Sequence, residues 1–386
     1  MRYRTGLLVL SVALLVTVTA PAAYLRGHID AFAAYGPVGD GVTDDRAAIQ
    51  ARIDAGPGTV FLGPGTFRVT DTLLLRSHVT IQCAGMALTT IKLGDAVQKP
   101  VIGFADYTQQ YRDVHIRDCT IHGNRAKNPH GGGGVNYGIN DSNAIWGIQF
   151  ANVQHGTIHR VRVLDAATGG IVVFAQSGRT TEASVSACHV ENSGILSGSD
   201  RGGLDIGAPT TDATLRVTVT GCSAVRNPSV GLAIEGIASD ASAVEVRGNT
   251  IADNGIGGTS PGIKVVDFKN ATIAANAISG NTAQGIYVDA ANDVTISGNL
   301  IRANTLNGIL VNNATTNSTR GRRITINGNT IEANRQAGIR TMYQSNGSNT
   351  PPREITISGN ALTDNGASGA LQIEDIREVT LARPRS

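Results

Sequence analysis

Side chains able to move protons or hold anions recur at one point of a repeated phrase. In the phrase Gly-apolar-x-apolar-x, the first variable position reads Gln149, Val172, Asp205, Ala233, Lys264, Tyr287, Leu310 and Arg340. The second reads Ala151, Phe174, Gly207, Glu235, Val266, Asp289, Asn312 and Met342. If the phrase is a strand, both positions point outward, because successive side chains alternate faces. Stacked copies stand ~4.8 Å apart, the spacing of paired strands. Asp205, Glu235, Lys264, Tyr287 and Asp289 then share one surface, with Arg201 before it and Asp267 after it. Lys264 and Tyr287 are neighbours in the first column. An ammonium beside a phenol favours the phenolate and makes the tyrosine a base or a proton donor. Asp205 and Glu235 stand roughly 8 Å apart between backbones, a separation open to a glycosidase carboxyl pair. Arg201 and Arg340 suit a substrate carboxylate. The bland alternative is a solvated face on which opposite charges of adjacent strands pair.

Such columns need a scaffold that repeats, and the repeat is legible from about Val114 to Asp375. From Cys222 through Asn249, Asn276, Asn299 and Asn329 the steps are 27, 27, 23 and 30 residues. No stretch has the 3.6-residue periodicity of a helical repeat, whereas Val294-Thr-Ile296 and Ile309-Leu-Val311 are short alternating strands broken by Gly and Asn. A coil length in the twenties built from such strands describes an all-β fold, a single-stranded right-handed parallel β-helix. Pairs of Asn five apart (Asn299 and Asn304, Asn329 and Asn334, Asn360 and Asn365) stack in its bends. There their amides bond the next coil's backbone, and Asn tolerates left-handed turn geometry.

Around this stack the chain divides into four parts. Residues 1–23 read as a signal peptide, with Arg2 and Arg4 before an apolar Leu7–Ala20 run and small residues at Ala20–Ala23. Residues 24–33 are a linker, residues 34–77 an N-terminal cap and residues 78–386 the β-helix. The cap holds a helix over 43–55 with Thr43 as N-cap, Asp44 and Asp45 in its first turn, and Ala48, Ile49 and Ile53 as its apolar stripe. Short strands follow at Gly58–Leu62, Gly65–Val69 and Thr72–Leu75. Long segments at Lys127–Asp141, Ser193–Gly202 and Tyr343–Pro352 are placed to wall a groove. The Gly131–Gly134 run lacks the strand, helix and Gly-Lys-Ser/Thr context of a phosphate loop.

Composition narrows the partners. A net charge of +2 leaves no electrostatic footprint for nucleic acid. With only 4% aromatics and 47 glycines, the core is built from small aliphatics. No later stretch is long and apolar enough to span a membrane, so an exported protein with no membrane span after signal cleavage is expected, acting as a monomer. Cys83, Cys119, Cys188 and Cys222 occupy the column that later holds Asn, which favours small side chains stacked in a turn. Cys188 and Cys222 fall in neighbouring turns and are the one pairing to test as a disulfide.

Gly39-Asp-Gly-Val-Thr-Asp-Asp-Arg-Ala-Ala-Ile-Gln-Ala-Arg-Ile-Asp54, Gly65-Thr-Phe-Arg-Val69, Ala84-Gly-Met86, Thr90-Ile-Lys-Leu93 and Ile121-His-Gly-Asn-Arg125 resemble the catalytic module of secreted mannuronan C5-epimerases. The opening phrase is shared with pectate lyases, polygalacturonases and phage tailspikes, so alone it supports only a pectin-lyase-like β-helix. The resemblance implies an enzyme on a polyuronate that removes the C5 proton and returns it to the opposite face, or eliminates the 4-linked sugar. The family's catalytic Tyr, Asp and His align with Gly169, Val172 and Phe174, none of which can do that chemistry. Its Asp before Gly-Asn-Arg is His122 here, and its following Lys matches Lys127, a substrate-binding candidate. Calcium enters only through this resemblance, and the calcium-binding nonapeptide repeats of some relatives are absent; a metal site is not assigned. The polygalacturonase Gly-Asp-Asp pair is also missing, Gly203-Leu-Asp-Ile206 being a distant echo.

Three functions remain. The first is a polysaccharide-modifying epimerase or lyase, with Lys264 and Tyr287 handling the C5 proton and Arg201, Asp267, Asp289, Arg340 and Lys127 binding substrate. The second is a glycoside hydrolase using Asp205 and Glu235. The third is a non-catalytic glycan-binding or adhesive β-helix.

Overall fold

The described strands are two to seven residues long, too short to bury their own faces, so they are covered by stacking on one another. The computed structural model describes residues 36–130, 144–196, 201–314, 321–343, 350–366, 369–373 and 377–382, and Pro37 onwards belongs to one compact unit. Three parallel sheets run the length of the stack. A back sheet starts at Gly58–Leu62, a side sheet at Asp40–Asp44 and Gly65–Val69, and a front sheet at Leu73–Leu75. The chain visits back, side and front in turn and then steps to the next coil, which is the right-handed parallel β-helix expected. Inside, like residues pile on like: Ile263, Ile286, Ile309 and Ile339 from the front sheet, and Ile273, Ile296 and Ile326 from the back sheet, are fully buried. Each such side chain contributes about 1.5–3 kcal/mol of burial.

The corner between back and side sheets is held by the Asn column. Asn249 N–H donates to Asn276 Oδ1 at 2.9 Å, Asn276 N–H to Asn299 Oδ1 at 2.9 Å and Asn299 N–H to Asn329 Oδ1 at 2.9 Å. Each Nδ2 turns back to a carbonyl of the preceding coil, as Asn276 does to Val246 at 3.0 Å. The left-handed residue is the one before the asparagine: Gly248, Ala275, Gly298 and Gly328 have φ of 64°, 54°, 62° and 60°. Asparagine is therefore used in this column for its amide and not for its backbone tolerance, a correction to the sequence reading. Asn276→Ala strands buried donors and acceptors in two coils at once, so it is expected to destabilise the fold by about 2–4 kcal/mol in denaturant titration.

The cysteine expectation is corrected in the same column. The disulfide joins Cys83 to Cys119, whose Cα atoms are 5.1 Å apart, within bridging range. Cys188 and Cys222 are free thiols. Cys222 Sγ there does the work of an Asn oxygen, accepting the Cys188 N–H at 3.4 Å. The bridge closes a separation of 36 residues, and reduction is expected to lower stability by about 3–4 kcal/mol in the chain-entropy picture. Cys83→Ser should lose the same amount and become insensitive to reductant.

The helix spans Arg46–Asp54, begins after Asp45 rather than Thr43, and buries Ile49 and Ile53. The Asp45 carboxylate does not cap it but accepts the amides of Val38 (2.5 Å) and Gly39 (3.1 Å). Among the described residues no helix is long and apolar enough to cross a membrane. The proposed signal peptide and linker lie outside the described residues, as do most of Lys127–Asp141 and the centres of the other two long segments.

Candidate functional site

The front sheet reproduces the two outward columns rung by rung. Val172 pairs Asp205, Asp205 pairs Ala233, Ala233 pairs Lys264, Lys264 pairs Tyr287, Tyr287 pairs Leu310 and Leu310 pairs Arg340. In the second column Phe174, Gly207, Glu235, Val266, Asp289 and Asn312 follow one another. The register follows from the buried Ile and Val on the opposite face, since a slip of one residue would turn them to solvent.

Four of the candidate side chains form one ionic cluster. Arg201 Nη1 lies 2.8 Å from Asp205 Oδ2 and 3.3 Å from Glu235 Oε2. Lys264 Nζ lies 3.0 Å from Glu235 Oε1. Side-chain exposure is 14% for Arg201, 14% for Glu235 and 12% for Lys264 but 0% for Asp205. Asp205 is thus an internal brace, whereas Glu235 and Lys264 still reach the surface. Burial first, and the Asp205 charge second, raise the Glu235 carboxyl above its ordinary range, against the opposing pull of Lys264 and Arg201. Burial outweighs two cations because removing a carboxylate from water costs more than imperfect pairing returns.

The remaining candidates are spread around this cluster. Tyr287 is half-buried in the rung after Lys264. Asp289 is buried, and its Oδ1 accepts the Ala314 amide at 2.7 Å. Asp267 leaves its strand in a left-handed conformation (φ 55°), its N–H donating to the Asp289 carbonyl at 3.1 Å. Arg340 is half-buried two rungs beyond Tyr287. Lys127 is exposed in the turn after Thr120–His122. Its coil supplies the front strand Trp146–Ala151, two strands from that of Asp205, so the structure does not bring it to the cluster.

Where the resemblance puts the catalytic triad, the surface is closed. Val172 and Phe174 are buried, and the Tyr107 ring stacks on Phe174 with centroids 5.7 Å apart and planes 12° apart. The Tyr107 hydroxyl donates to Gln149 Oε1, and burial pushes its phenol well above the usual range. Gln110 ties the same segment down, donating to the Thr180 carbonyl at 2.7 Å and accepting the Thr180 amide at 3.0 Å. Sequence reasoning missed Tyr107, which belongs to no repeat.

His122 lines a separate cavity of about 600 Å³ with Arg125, His130, Asp165, Asn192 and Leu196. Its Nδ1 accepts the Asn124 amide at 2.9 Å and its Nε2 faces Asp165 Oδ2 at 3.1 Å. The hydrogen bond from His122 holds the Asp165 carboxyl below its usual range. With both ring nitrogens engaged, His122 links two coils and has no lone pair left for base catalysis. Among the described residues no group of His, Cys, Asp and Glu is arranged to hold a metal ion.

Residues 146–324 match the family model described as right handed beta helix region. Two curated relatives come from Azotobacter vinelandii. Mannuronan C5-epimerase AlgE6 is 42% identical over 105 residues, 24% of this chain and 12% of that protein. Alginate lyase 7 is 40% identical over 104 residues, 24% of this chain and 12% of that protein. The matches therefore cover about an eighth of the relatives' length. Among solved structures, the A-module of Azotobacter vinelandii mannuronan C-5 epimerase AlgE4 superposes with a TM-score of 0.57 at 24% identity, covering 92% of this chain and 98% of that one. The chain is a right-handed parallel β-helix similar to epimerase catalytic modules.

Proposed function

We propose that the protein is an exported enzyme that modifies a uronic-acid-containing polysaccharide by abstracting the C5 proton. The observation that carries this reading is the accessible Glu235–Lys264–Tyr287 run: a carboxyl with a raised pKa, an ammonium 3.0 Å from it, and a phenol on the next rung. Tyr287, with Lys264 favouring its phenolate, takes the proton from C5. Arg340 neutralises the substrate carboxylate so that the electron pair can rest there as an enolate. Protonated Glu235 then supplies the second proton. Delivery to the opposite face of C5 gives epimerisation; delivery to O4, as the C4–O4 bond breaks and a C4–C5 double bond forms, gives elimination. Arg201 positions Glu235 through its contact at 3.3 Å. Asp205 has no exposed side chain, which disfavours a hydrolytic carboxyl pair, because both members of such a pair must face the glycosidic bond. The identity over a quarter of the chain to an epimerase and an alginate lyase supports the same chemistry.

Incubation with a panel of uronic and neutral polysaccharides, read by ultraviolet absorbance and proton NMR, tests this. Growth of absorbance marks elimination, and inverted C5 signals at constant chain length mark epimerisation. Saturated shorter products mark hydrolysis and would sink the proposal, as would binding with no change in any glycan.

A further inference from the structure

The cavity of about 600 Å³ lies where three successive coils turn from the side sheet to the front sheet, after Thr120–His122, Arg162–Leu164 and His189–Glu191. It is lined by one fixed cation. Arg125 Nη2 donates to the Ala166 carbonyl at 3.0 Å and to the Asn192 carbonyl at 2.6 Å, which joins the three turns and orients the guanidinium. Its Nε is buried without a hydrogen-bond partner, so Nη1 is the donor left to face the cavity. Among the described residues no carboxylate forms an ion pair with Arg125. Burial lowers its pKa, and Asp165 opposes this from a distance. That carboxylate is engaged elsewhere, with Oδ2 3.1 Å from His122 Nε2 and Oδ1 accepting Asn192 Nδ2. A half-buried charge without a counter-charge is unfavourable, and an anionic ligand would supply one. The rest of the lining is of two kinds. Asp165 keeps unfilled acceptor positions, as does Asn192, whose Oδ1 takes no hydrogen bond from a described residue. Ala167, Ile195 and Leu196 add an apolar wall.

We propose that this cavity binds a single uronic-acid residue, with its carboxylate on Arg125, its hydroxyls on Asp165 and Asn192, and the C–H face of its ring against Ile195 and Leu196. Each part of such a ligand meets a part of the lining that the protein leaves unfilled. A bare carboxylate would satisfy the arginine and leave the acceptors and the apolar wall uncovered. A neutral sugar would cover the wall and leave the cation unpaired. The volume falls in the ordinary range for small-molecule sites. The site is distinct from the front-face cluster: its three coils continue into the front strands Trp146–Ala151, Gly169–Phe174 and Leu204–Ala208, and Glu235 stands on the strand after these. The cavity and its charge stand without the function proposed above. That its occupant is a unit of the polymer modified on the front face rests on that reading, so binding and turnover are measured separately.

The test titrates the full-length protein, methyl-labelled at Ile and Leu, with sodium glucuronate, mannuronate and galacturonate, and with glucose and acetate as controls. NMR follows the Ile195 and Leu196 methyl resonances. At least one uronate is expected to shift both saturably with a Kd on the order of 1 mM, the scale that ligand efficiency sets for a molecule of this size. Glucose and acetate should bind at least about tenfold more weakly, each lacking one of the contacts. Arg125→Gln should weaken uronate binding about tenfold. Because Arg125 also joins three turns, that variant is paired with Leu196→Asp, read at Ile195. This substitution puts a like charge on a side chain 62% exposed and should also weaken binding about tenfold. No saturable shift with any uronate, an equal response to glucose or acetate, or undiminished affinity in Leu196→Asp would overturn the inference; turnover of a polyuronate alongside that result would leave C5 chemistry standing. Saturable uronate shifts in a protein that modifies no polysaccharide would uphold the cavity and remove the enzymatic reading.

Discussion

Tyr287→Phe is expected to lower turnover of the active polyuronate by about 10²–10⁴-fold, the range lost when a positioned general base is removed. The substitution deletes one oxygen from a half-buried ring and leaves the rung pairing of Lys264 with Tyr287's backbone intact. KM should move by less than about threefold, since the phenol acts on the transition state and not on the bound ground state. Lys264→Ala should cost activity too, but through a different route. It removes the cation favouring the phenolate, which is also the ammonium 3.0 Å from Glu235, so part of the loss should be recovered at higher pH. The falling limb of the pH profile provides an internal check. Glu235 must carry its proton to donate it, and its pKa is raised by burial, so activity falls as pH rises through that shifted value. Tyr287→Phe should keep this limb in its residual rate, whereas Glu235→Gln should abolish it. Full activity in Tyr287→Phe would remove this residue from the chemistry.

Most of the geometry behind that expectation was legible before any coordinates. The order Asp205, Ala233, Lys264, Tyr287, Leu310 and Arg340 follows from a side-chain period of two and a corner residue that marks every coil. The structure pairs those residues as their spacing requires. Exposure was not legible. A column position says that Asp205 points away from the core, but not that its side chain has no exposure and lies 2.8 Å from Arg201 Nη1. Nor was the closed surface over Val172 and Phe174, because the Tyr107 segment is an insertion obeying no repeat, held by contacts as distant in sequence as Gln110 with Thr180. The disulfide failed for a similar reason. Equivalent positions in adjacent coils describe Cys188 and Cys222 as well as Cys83 and Cys119, and the difference lies in what each sulfur does in the corner ladder. Periodic features are predictable because one rule is applied many times; the site's limits are set by segments that occur once.

Arg201→Met should be the most destabilising single change on this face. Arg201 Nη1 contacts both Asp205 and Glu235, and burial of these groups leaves little water to replace it. Removing one partner of a buried ionic cluster typically costs about 3–5 kcal/mol, because the stranded charges keep their desolvation penalty and lose their counter-charge. Arg201→Met leaves Lys264 on Glu235 and takes from Asp205 the cation 2.8 Å away. The sign of the pH dependence follows from Glu235. Its folded pKa is raised, so the fold binds this proton more tightly than the unfolded chain does. That contribution to stability is present at low pH and lost as pH rises through the shifted value. Without Arg201 the repulsion from Asp205 is unopposed on that side, so the deficit of the variant should be greatest near neutrality and shrink as Glu235 takes up its proton. Arg201→Met combined with Asp205→Asn should be more stable than Arg201→Met alone, with a coupling of about 1–3 kcal/mol between the two positions. Urea titrations of the four proteins at neutral and acidic pH measure this cycle. Additive losses, or a deficit independent of pH, would mean that Arg201 acts through packing of its aliphatic stem and not by balancing the charges that hold Glu235 in place.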